Sequence, residues 1–414
     1  MRTAFTLVEL LVVMTIMGLL MSLLIPAINS ARETGRRTVC LNNLKQLSHA
    51  AMEYNARRRE LPGYVNMIAK AGSSGTSTST PTNTAPTVPN RLGTWAMMLF
   101  PEIERSDVYQ TWTTDPVLTA TTTSGIANPA TPYISLFVCP SDPPDDITVN
   151  PTPLSYVANC GIPDNPTTLT ATGTTLTGNS VTVVDSSTSS TLVPRPTNGM
   201  FYDRYSPKYS TTTAPIPDVA SSLDHIPDGA STTLMFTENF MPTAKDVING
   251  FLYRVYYPPV NSSFYTNTAN GTAAQYPYLP QGPTGTEALT AAYSFEADIG
   301  FVWDPLVPDH TNPVPATGVS GNDPRRINGD KNRKYVSNYP QTQAAFGYYY
   351  SRPSSSHPNG VNVATCGGEF YFQRDDIDYW VYEQLMTPDS KHSQMNSGNT
   401  PLNASYVLDE NDYR

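Results

Sequence analysis

The chain has 414 residues, with 35 acidic and 25 basic side chains and a formal net charge of −10. This acidic balance argues against a nucleic-acid partner, which would require a basic face. Only 14% of the residues are charged, whereas 38 prolines and 25 tyrosines favour turns and strands, and a hydrophobic fraction of 39% is enough to build a core. The composition therefore excludes a wholly disordered chain.

The N-terminal segment is almost entirely apolar and carries no charge from Leu10 to Ile28. At about 1.5 Å per residue, a helix of this length crosses a hydrocarbon core of about 30 Å. A cleavable signal peptide would have a shorter apolar region followed by a small-x-small site, and the segment has neither. The sequence therefore predicts a transmembrane helix.

Glu9 is the single carboxylate at the start of this apolar span. An unpaired carboxylate inside a bilayer costs about 2.5 kcal/mol or more, so such residues usually have a partner. Two interpretations follow from the residues alone. Either Glu9 pairs with a positive group, or it lies at the depth of the lipid headgroups, where its cost is small.

The run from Ala4 to Leu10, AFTLVEL, resembles the processing site of type IV prepilins and pseudopilins. The resemblance implies that a prepilin peptidase cuts between Ala4 and Phe5 and methylates the new amino group. Glu9 then lies four residues past the new terminus, and Pro26 falls where many pilins have a helix-kinking proline. One residue departs from the family, which usually has Gly where this chain has Ala4.

The resemblance also implies how the protein assembles. In a filament, the carboxylate of Glu9 would pair with the N-terminal amine of a neighbouring subunit, which offsets the desolvation of both charges and sets the axial register. The implied partners are the membrane, a prepilin peptidase, other pilin-like subunits in a homo- or hetero-filament, and a separate assembly ATPase and platform protein.

The same resemblance predicts a single-pass protein of the inner, or cytoplasmic, membrane. Its head is expected outside the cytoplasm, at the cell surface or in the periplasm after assembly. Arg32, Arg36 and Arg37 follow the span and favour the opposite orientation by the positive-inside rule, although long domains translocate largely regardless of flanking charge.

After the span, apolar residues recur at spacings of three and four and predict that the helix continues with one apolar face to about Arg58. These residues are Leu44, Leu47, Ala51 and Tyr54. The sequence Leu-Pro-Gly at 61–63 is a helix stop signal. The predicted segments are a leader at 1–4, a transmembrane helix at 5–28, an amphipathic continuation at 29–60 and an extracytoplasmic β-rich head at 61–414.

The head alternates polar stretches with short apolar runs. Three Ser/Thr-rich stretches are predicted to be loops or insertions, at 72–90, 119–132 and 167–198. Apolar runs bounded by turn residues predict strands at 134–138, 233–236, 251–256 and 369–372, and residues 378–386 are predicted to be a short helix. We therefore expect an α+β fold, in which the long N-terminal helix packs on an antiparallel or mixed sheet with Ser/Thr/Pro-rich insertions.

The segment RTVCLNNLKQL, which begins at Arg37, resembles the helix of a large pilin-like family that is abundant in planctomycetes and known for a C-terminal H-X9-DG element. The residues that match the family signature are Cys40, Asn43, Cys139, Asp142, His357, Gly367 and Gly368. Nine residues separate His357 from Gly367, but Gly367 stands where the family has Asp. A role that needs His and Asp together is therefore not implied for this chain.

The remaining cysteines are Cys160 and Cys366, and none of the four forms a C-x-x-C motif, which excludes a zinc ribbon or a thioredoxin-type motif. Outside the cytoplasm the four could pair, but the sequence does not give the connectivity. A buried free thiol is the alternative interpretation for Cys40, because it lies in a predicted helix.

No motif of an enzyme was found, neither a P-loop nor H-E-x-x-H, G-x-S-x-G or G-x-G-x-x-G. We expect no catalytic residue and no required cofactor, with His357 as a hydrogen-bonding turn residue rather than a catalytic base. Calcium is the alternative, because oxygen ligands on loops suit Ca²⁺, although clustered Asp usually forms the turn itself. The weak calcium candidates are Asp142, Asp145, Asp146, Asp323 and Asp330.

The function predicted from these features is a structural subunit of a type IV-like filament or secretion pseudopilus. A competing hypothesis is a monomeric, membrane-anchored protein that binds a polysaccharide or another surface ligand. A third is an anchored hydrolase, because a triad of distant residues is recognised by geometry and not by order in the sequence.

Overall fold

The structure is a computed structural model of the whole chain. The residues that it describes are 7–69, 91–114, 132–143, 154–161, 182–185, 188–191, 199–202, 204, 220–239, 300–302, 327–328, 353–377, 379–391, 408 and 413.

The first element, α1 (Leu7–Arg58), is a single helix of 52 residues that contains Pro26. It confirms the prediction that the helix of the apolar span continues to about Arg58. Residues 7–39 are exposed except for the half-buried Glu33, and burial against the head begins at Cys40. An 18-residue window in α1 has a mean hydropathy of 2.5, and none of it is buried, so α1 is long and apolar enough to cross a membrane.

The described part of the head contains nine strands in three sheets. They are β1 (Val65–Ala69), β2 (Arg91–Thr94), β3 (Tyr156–Gly161), β4 (Thr182–Asp185), β5 (Thr188–Thr191), β6 (Leu234–Glu238), β7 (Gly300–Val302), β8 (Gly360–Thr365) and β9 (Phe370–Arg374). The largest sheet has the order β7-β3-β6-β8-β9. Only the β3–β7 pair is parallel, so this sheet is mixed and confirms the expected α+β fold.

The strands predicted at 233–236 and 369–372 correspond to β6 and β9, and the late helix corresponds to α4 (Tyr379–Met386). The strand predicted at 251–256 lies outside the described residues. Two further helices, α2 (Trp95–Met98) and α3 (Ser106–Thr114), lie beside the short β1–β2 sheet.

The strand predicted at 134–138 is wrong, because residues Ser135–Phe137 form a 3-10 turn. The amide of Phe137 donates to the carbonyl of Ile134 at 3.1 Å, and the turn places the Phe137 ring among core aromatics. Its ring centroid is 6.4 Å from that of Trp95 and 6.1 Å from that of Phe100. Burial of one large side chain, rather than pairing with a strand, determines this conformation.

The third Ser/Thr-rich stretch was predicted to be a loop, but it contains the antiparallel hairpin β4–β5, with Thr182 opposite Thr191 and Asp185 opposite Thr188. Thr and Val have β-branched side chains that favour extended backbone, which explains how a polar stretch pairs with itself. The other two stretches lie outside the described residues, except for Pro132.

The large sheet separates two hydrophobic clusters. Side chains alternate between its faces, so neighbouring residues of one strand enter different clusters. On β3, Tyr156 packs in the cluster that includes Leu44 of α1, whereas its neighbour Val157 packs in the cluster that includes Leu385 of α4. The inner half of α1 is thus one wall of the core, and burial of each large apolar side chain contributes about 1.5–3 kcal/mol.

The buried carboxyl of Glu383 in α4 gives a pH-dependent prediction. Glu383 is 1% exposed, its Oε1 has no hydrogen-bond partner among the described residues, and burial raises its pKa to about 8. The pKa of a glutamate in an unfolded chain is about 4.3. Between this pH and about pH 8, the folded protein therefore binds one more proton than the unfolded protein. Stability then falls by about 1.4 kcal/mol for each pH unit in this window.

We expect Glu383→Gln to reduce the loss of stability between about pH 5.5 and about pH 7.5 by about 2–3 kcal/mol relative to the parent chain. Urea denaturation at both pH values measures the difference. An equal loss in the two proteins would contradict the assignment of a protonated Glu383.

Candidate functional site

The site lies where α1 enters the head, and we call it the junction site. It consists of Glu33, Cys40, Cys139, Glu238 and His357. Cys40 is the first buried residue of α1, and Cys139 follows the 3-10 turn at Ser135–Phe137. The two cysteines form a disulfide with their Cα atoms 5.0 Å apart and a sequence separation of 99.

This disulfide resolves the pairing that the sequence left open, and it replaces the alternative of a free Cys40 thiol. Cys160 and Cys366 are buried and take no part in it. Asn43, one helical turn after Cys40, donates through its side-chain amide to the carbonyl of Val138 at 3.1 Å. Two signature residues of α1 therefore hold the same segment of the head, one covalently and one by a hydrogen bond.

The imidazole of His357 is completely buried and bridges two carboxylates. Its Nδ1 lies 2.6 Å from Glu33 Oε1 on α1. Its Nε2 lies 3.4 Å from Glu238 Oε1 at the end of β6, and 3.6 Å from Cys139 Sγ. The histidine therefore connects the helix, the sheet and the disulfide.

Glu238 is held in place by the neighbouring strand β8. The backbone amide of Asn362 donates to Glu238 Oε2 at 2.9 Å, and the Asn362 side-chain amide donates to Oε1 at 2.8 Å. Because both carboxylate oxygens accept hydrogen bonds, the carboxylate is fixed in a pocket where it is only 2% exposed.

Burial lowers the pKa of His357, but hydrogen bonds and charges from Glu238 and Glu33 outweigh it and raise the pKa above its ordinary value. The arrangement therefore favours an imidazolium between two carboxylates. Opposite charges at these distances offset part of the cost of removing each group from water.

A short polar turn positions His357. Its backbone amide donates to Ser355 Oγ at 3.1 Å, and that hydroxyl donates to the carbonyl of Gly360 at 2.6 Å. The amide of Ser355 donates in turn to Asn328 Oδ1 at 2.8 Å. The turn contains Asn359 with φ 64°, a left-handed conformation that Asn adopts more readily than most residues.

The other signature residues lie elsewhere. Gly367 and Gly368 form the turn after β8, whereas His357 precedes β8, and six residues of strand span about 20 Å. The amide of Gly367 donates to the carbonyl of Ala230 at 2.7 Å. The structure therefore does not bring the histidine and the position of the family's Asp together.

Gly368 has φ +82°, and a Cβ there would lie 3.0 Å from Met52 Cε on α1. Because a left-handed residue with a Cβ costs about 1–2 kcal/mol, we expect Gly368→Ala to lower the free energy of unfolding by about that amount. Gly35→Ala is the control, since a Cβ at Gly35 meets nothing within 4 Å and alanine suits a helix. Denaturant titration measures the free energy of unfolding of both variants. A Gly368→Ala variant as stable as Gly35→Ala would contradict the prediction.

The remaining predicted residues are distributed as follows. Glu9 lies in the first turn of α1, and Pro26 lies within the helix. The amide of Asp142 donates to the carbonyl of Cys139 at 2.9 Å, which makes it part of a turn. The residues outside the described part are Ala4, Phe5, Asp145, Asp146, Asp323 and Asp330, so calcium binding stays an untested prediction.

Glu33, Glu238 and Asn362 were not predicted to be site residues. Glu33 lies seven residues before Cys40, and therefore on the same face of α1, which is the one signal for its role in the sequence. Arg37 lies between them on this face and stacks over the Phe372 ring of β9, 3.5 Å from the ring centroid. The contact between Glu238 and Asn362 could not be predicted from the sequence, because the pairing of neighbouring strands brings the two residues together.

A long, exposed apolar helix that is fastened to an α+β head is the architecture expected of a pilin-like protein, and the helix suits an N-terminal membrane anchor. The model of the prokaryotic N-terminal methylation motif matches residues 1–25, which confirms the resemblance to type IV prepilins. The chain belongs to the family described as "Protein of unknown function (DUF1559)", which matches residues 29–379. Neither the curated proteins nor the solved structures contain a match to the chain.

Proposed function

We propose that this pilin-like protein is a non-enzymatic structural subunit of a type IV-like filament or secretion pseudopilus. The observation that carries the proposal is the exposed part of α1. Residues 7–32 are all exposed and precede Glu33, which contacts His357 of the head. At about 1.5 Å per residue this segment is about 40 Å long.

An apolar surface of this size requires a covering. Leu7, Leu19 and Leu23 are 79%, 66% and 69% exposed, and residues like them surround the helix on all sides. A helix that is apolar all round is buried in a membrane or among other helices. In the proposal, lipid covers this segment before assembly and the helices of other subunits cover it afterwards.

The proposed partners are those that would move α1 from the membrane into a filament. A prepilin peptidase would create the N-terminus at Phe5, a separate ATPase and platform protein would drive assembly, and other pilin-like subunits would bundle their helices with α1. Glu9 would set the register by pairing with the N-terminal amine of a neighbour. The Cys40–Cys139 disulfide supports a head outside the cytoplasm, since disulfides persist in oxidising compartments.

Mass spectrometry of the N-terminal peptide of the protein from its native envelope tests the proposal. We expect a chain that begins at Phe5 with a methylated amine and that sediments with sheared surface filaments or with the secretion apparatus. An intact Met1 on abundant, stable protein would contradict assembly. It would favour instead a monomeric, membrane-anchored binding protein.

A further inference from the structure

The junction site brings together four side chains that bind metals. The ligand atoms of Cys40, Cys139, Glu238 and His357 all lie within 4.8 Å of one another, and all four residues are buried. We propose that the dithiol form of this site, obtained by reduction of the Cys40–Cys139 disulfide, binds one Zn²⁺ ion tetrahedrally. The inference does not depend on the role of the protein in a filament.

The distances between ligand atoms fit a tetrahedral ion. Zinc binds thiolate at about 2.3 Å and imidazole nitrogen or carboxylate oxygen at about 2.0–2.1 Å, so tetrahedral angles place sulfur and nitrogen about 3.5 Å apart, and nitrogen and oxygen about 3.3 Å apart. In the structure, Cys139 Sγ and His357 Nε2 are 3.6 Å apart, and His357 Nε2 and Glu238 Oε1 are 3.4 Å apart. Both observed distances therefore lie within about 0.1 Å of those in a tetrahedral zinc site.

The groups behind these ligands are those that orient zinc ligands in proteins. A metal-binding histidine usually donates its second ring N–H to a carboxylate, and Glu33 Oε1 lies 2.6 Å from His357 Nδ1. This contact directs Nε2 toward the sulfur atoms. Asn362 holds the Glu238 carboxylate by two hydrogen bonds, which fixes the oxygen ligand in the same way.

The conversion requires a reductant, for which we name a dithiol. The dithiol delivers two electrons and two protons and becomes a disulfide itself, while the bond between Cys40 Sγ and Cys139 Sγ breaks and two thiols form. Zinc then displaces both thiol protons, and it also displaces the proton from Nε2 when the imidazole is charged. The two sulfurs move to about 3.8 Å apart, which corresponds to tetrahedral angles at Zn–S bonds of about 2.3 Å.

Zinc fits this set better than calcium or magnesium, because thiolate and imidazole are ligands for soft or borderline metals, whereas calcium and magnesium take oxygen ligands. The disulfide and the zinc site exclude each other, because bonded sulfurs are not thiolates. The site would therefore bind metal according to the redox state of the chain, for example before the disulfide forms in a newly made protein.

The test compares the full-length protein in detergent in two forms, as the disulfide and after reduction with a phosphine, each titrated with Zn²⁺ and Co²⁺. We expect one metal ion per chain in the reduced form and none at this site in the disulfide form. Reduced protein with Co²⁺ should show a thiolate-to-cobalt charge-transfer band and the visible bands of tetrahedral cobalt. Equal binding by both forms, or a cobalt spectrum without the thiolate band, would overturn the proposal.

Glu33→Gln is the sharpest variant, because Glu33 is partly exposed and is not itself a ligand. We expect it to weaken zinc binding about tenfold to about a hundredfold, the usual effect of losing a group that orients a ligand, with the thiolate band retained. Glu53→Gln is the matched control, since Glu53 is an exposed glutamate on the same helix. Unchanged zinc affinity in Glu33→Gln, or an equal loss in Glu53→Gln, would contradict the assignment.

Circular dichroism follows folding in every sample. If the reduced chain loses structure without metal, zinc must restore it, and a chain that stays unfolded with zinc would refute the site. Cys366 offers little competition for the metal. Burial raises the pKa of the Cys366 thiol far above its ordinary value, which keeps it protonated and a poor ligand.

Discussion

A Glu9→Leu variant is expected to form no filaments, while its head folds as in the parent chain. The carboxylate is the only acidic group in the apolar half of α1 before Glu33, and leucine at this position would make the helix more apolar without supplying a charge. In the proposed filament, the N-terminal amine of a neighbouring subunit would then be buried without its counter-ion. A buried charge left without a partner costs about 3–5 kcal/mol, and the cost recurs at every subunit contact.

The head should not respond to this change. Glu9 precedes Cys40, the first residue of α1 buried in the head, by about 45 Å along the helix. Membrane insertion should also persist, since the substitution adds an apolar residue to an apolar span. The effect is thus expected to be confined to assembly, which distinguishes it from a folding defect.

Electron microscopy of sheared material, together with the amount of protein in the membrane fraction, measures the effect. Glu53→Leu is the matched control, because it removes an exposed glutamate from the head end of the same helix. Normal filaments from Glu9→Leu would refute the proposed pairing. Loss of filaments in both variants would show that the defect is not specific to Glu9.

The elements that could be predicted from the sequence are those whose pattern is long or strongly periodic. The helix α1 combines a continuous apolar span with residues at spacings of three and four, such as Leu44 and Leu47, and both features persist over many turns. The run at Ser135–Phe137 contains too few residues to show a period. These residues form a 3-10 turn instead of a strand. The turn places Phe137 against Trp95 and Phe100, which are distant in sequence.

The junction site could be predicted only in part, because its members come from distant parts of the chain. The resemblance to the pilin-like family pointed to Cys40, Cys139 and His357 as signature residues. It did not predict that the three lie close together. Glu33 and His357 are 324 residues apart in sequence, and no local pattern links two such positions. Proximity in the folded structure determines which cysteines pair and which carboxylates contact the histidine. The fold must therefore be known before either can be assigned.

The second prediction concerns the disulfide. Replacement of both cysteines, Cys40→Ala with Cys139→Ala, is expected to lower the free energy of unfolding of the head by about 4 kcal/mol. The two cysteines are 99 residues apart, and closing a loop of about 100 residues removes chain entropy from the unfolded state worth about 4.7 kcal/mol at 25 °C. Alanine avoids placing a new hydroxyl at two positions that are almost completely buried.

Denaturant titration of the parent chain and the double variant, each with and without a reductant and with a metal chelator present throughout, measures this contribution. The reductant should destabilise the parent to nearly the level of the variant and leave the variant unchanged, because only the parent has the cross-link to lose. A variant as stable as the oxidised parent would contradict the prediction. A variant that the reductant still destabilises would show that other thiols respond to it.

The position of the disulfide gives the same experiment a local readout. Cys40 is the first buried residue of α1, so a load from the membrane or a filament passes through it before it reaches the buried half of the helix. With the cross-link, that load passes directly into the segment around Cys139. Without the disulfide, the load acts on the packing of Leu44, Leu47 and Tyr54 against the head. These contacts can then be lost one helical turn at a time. We therefore expect hydrogen exchange in the double variant to increase most in the buried half of α1, with smaller changes in β8 and β9.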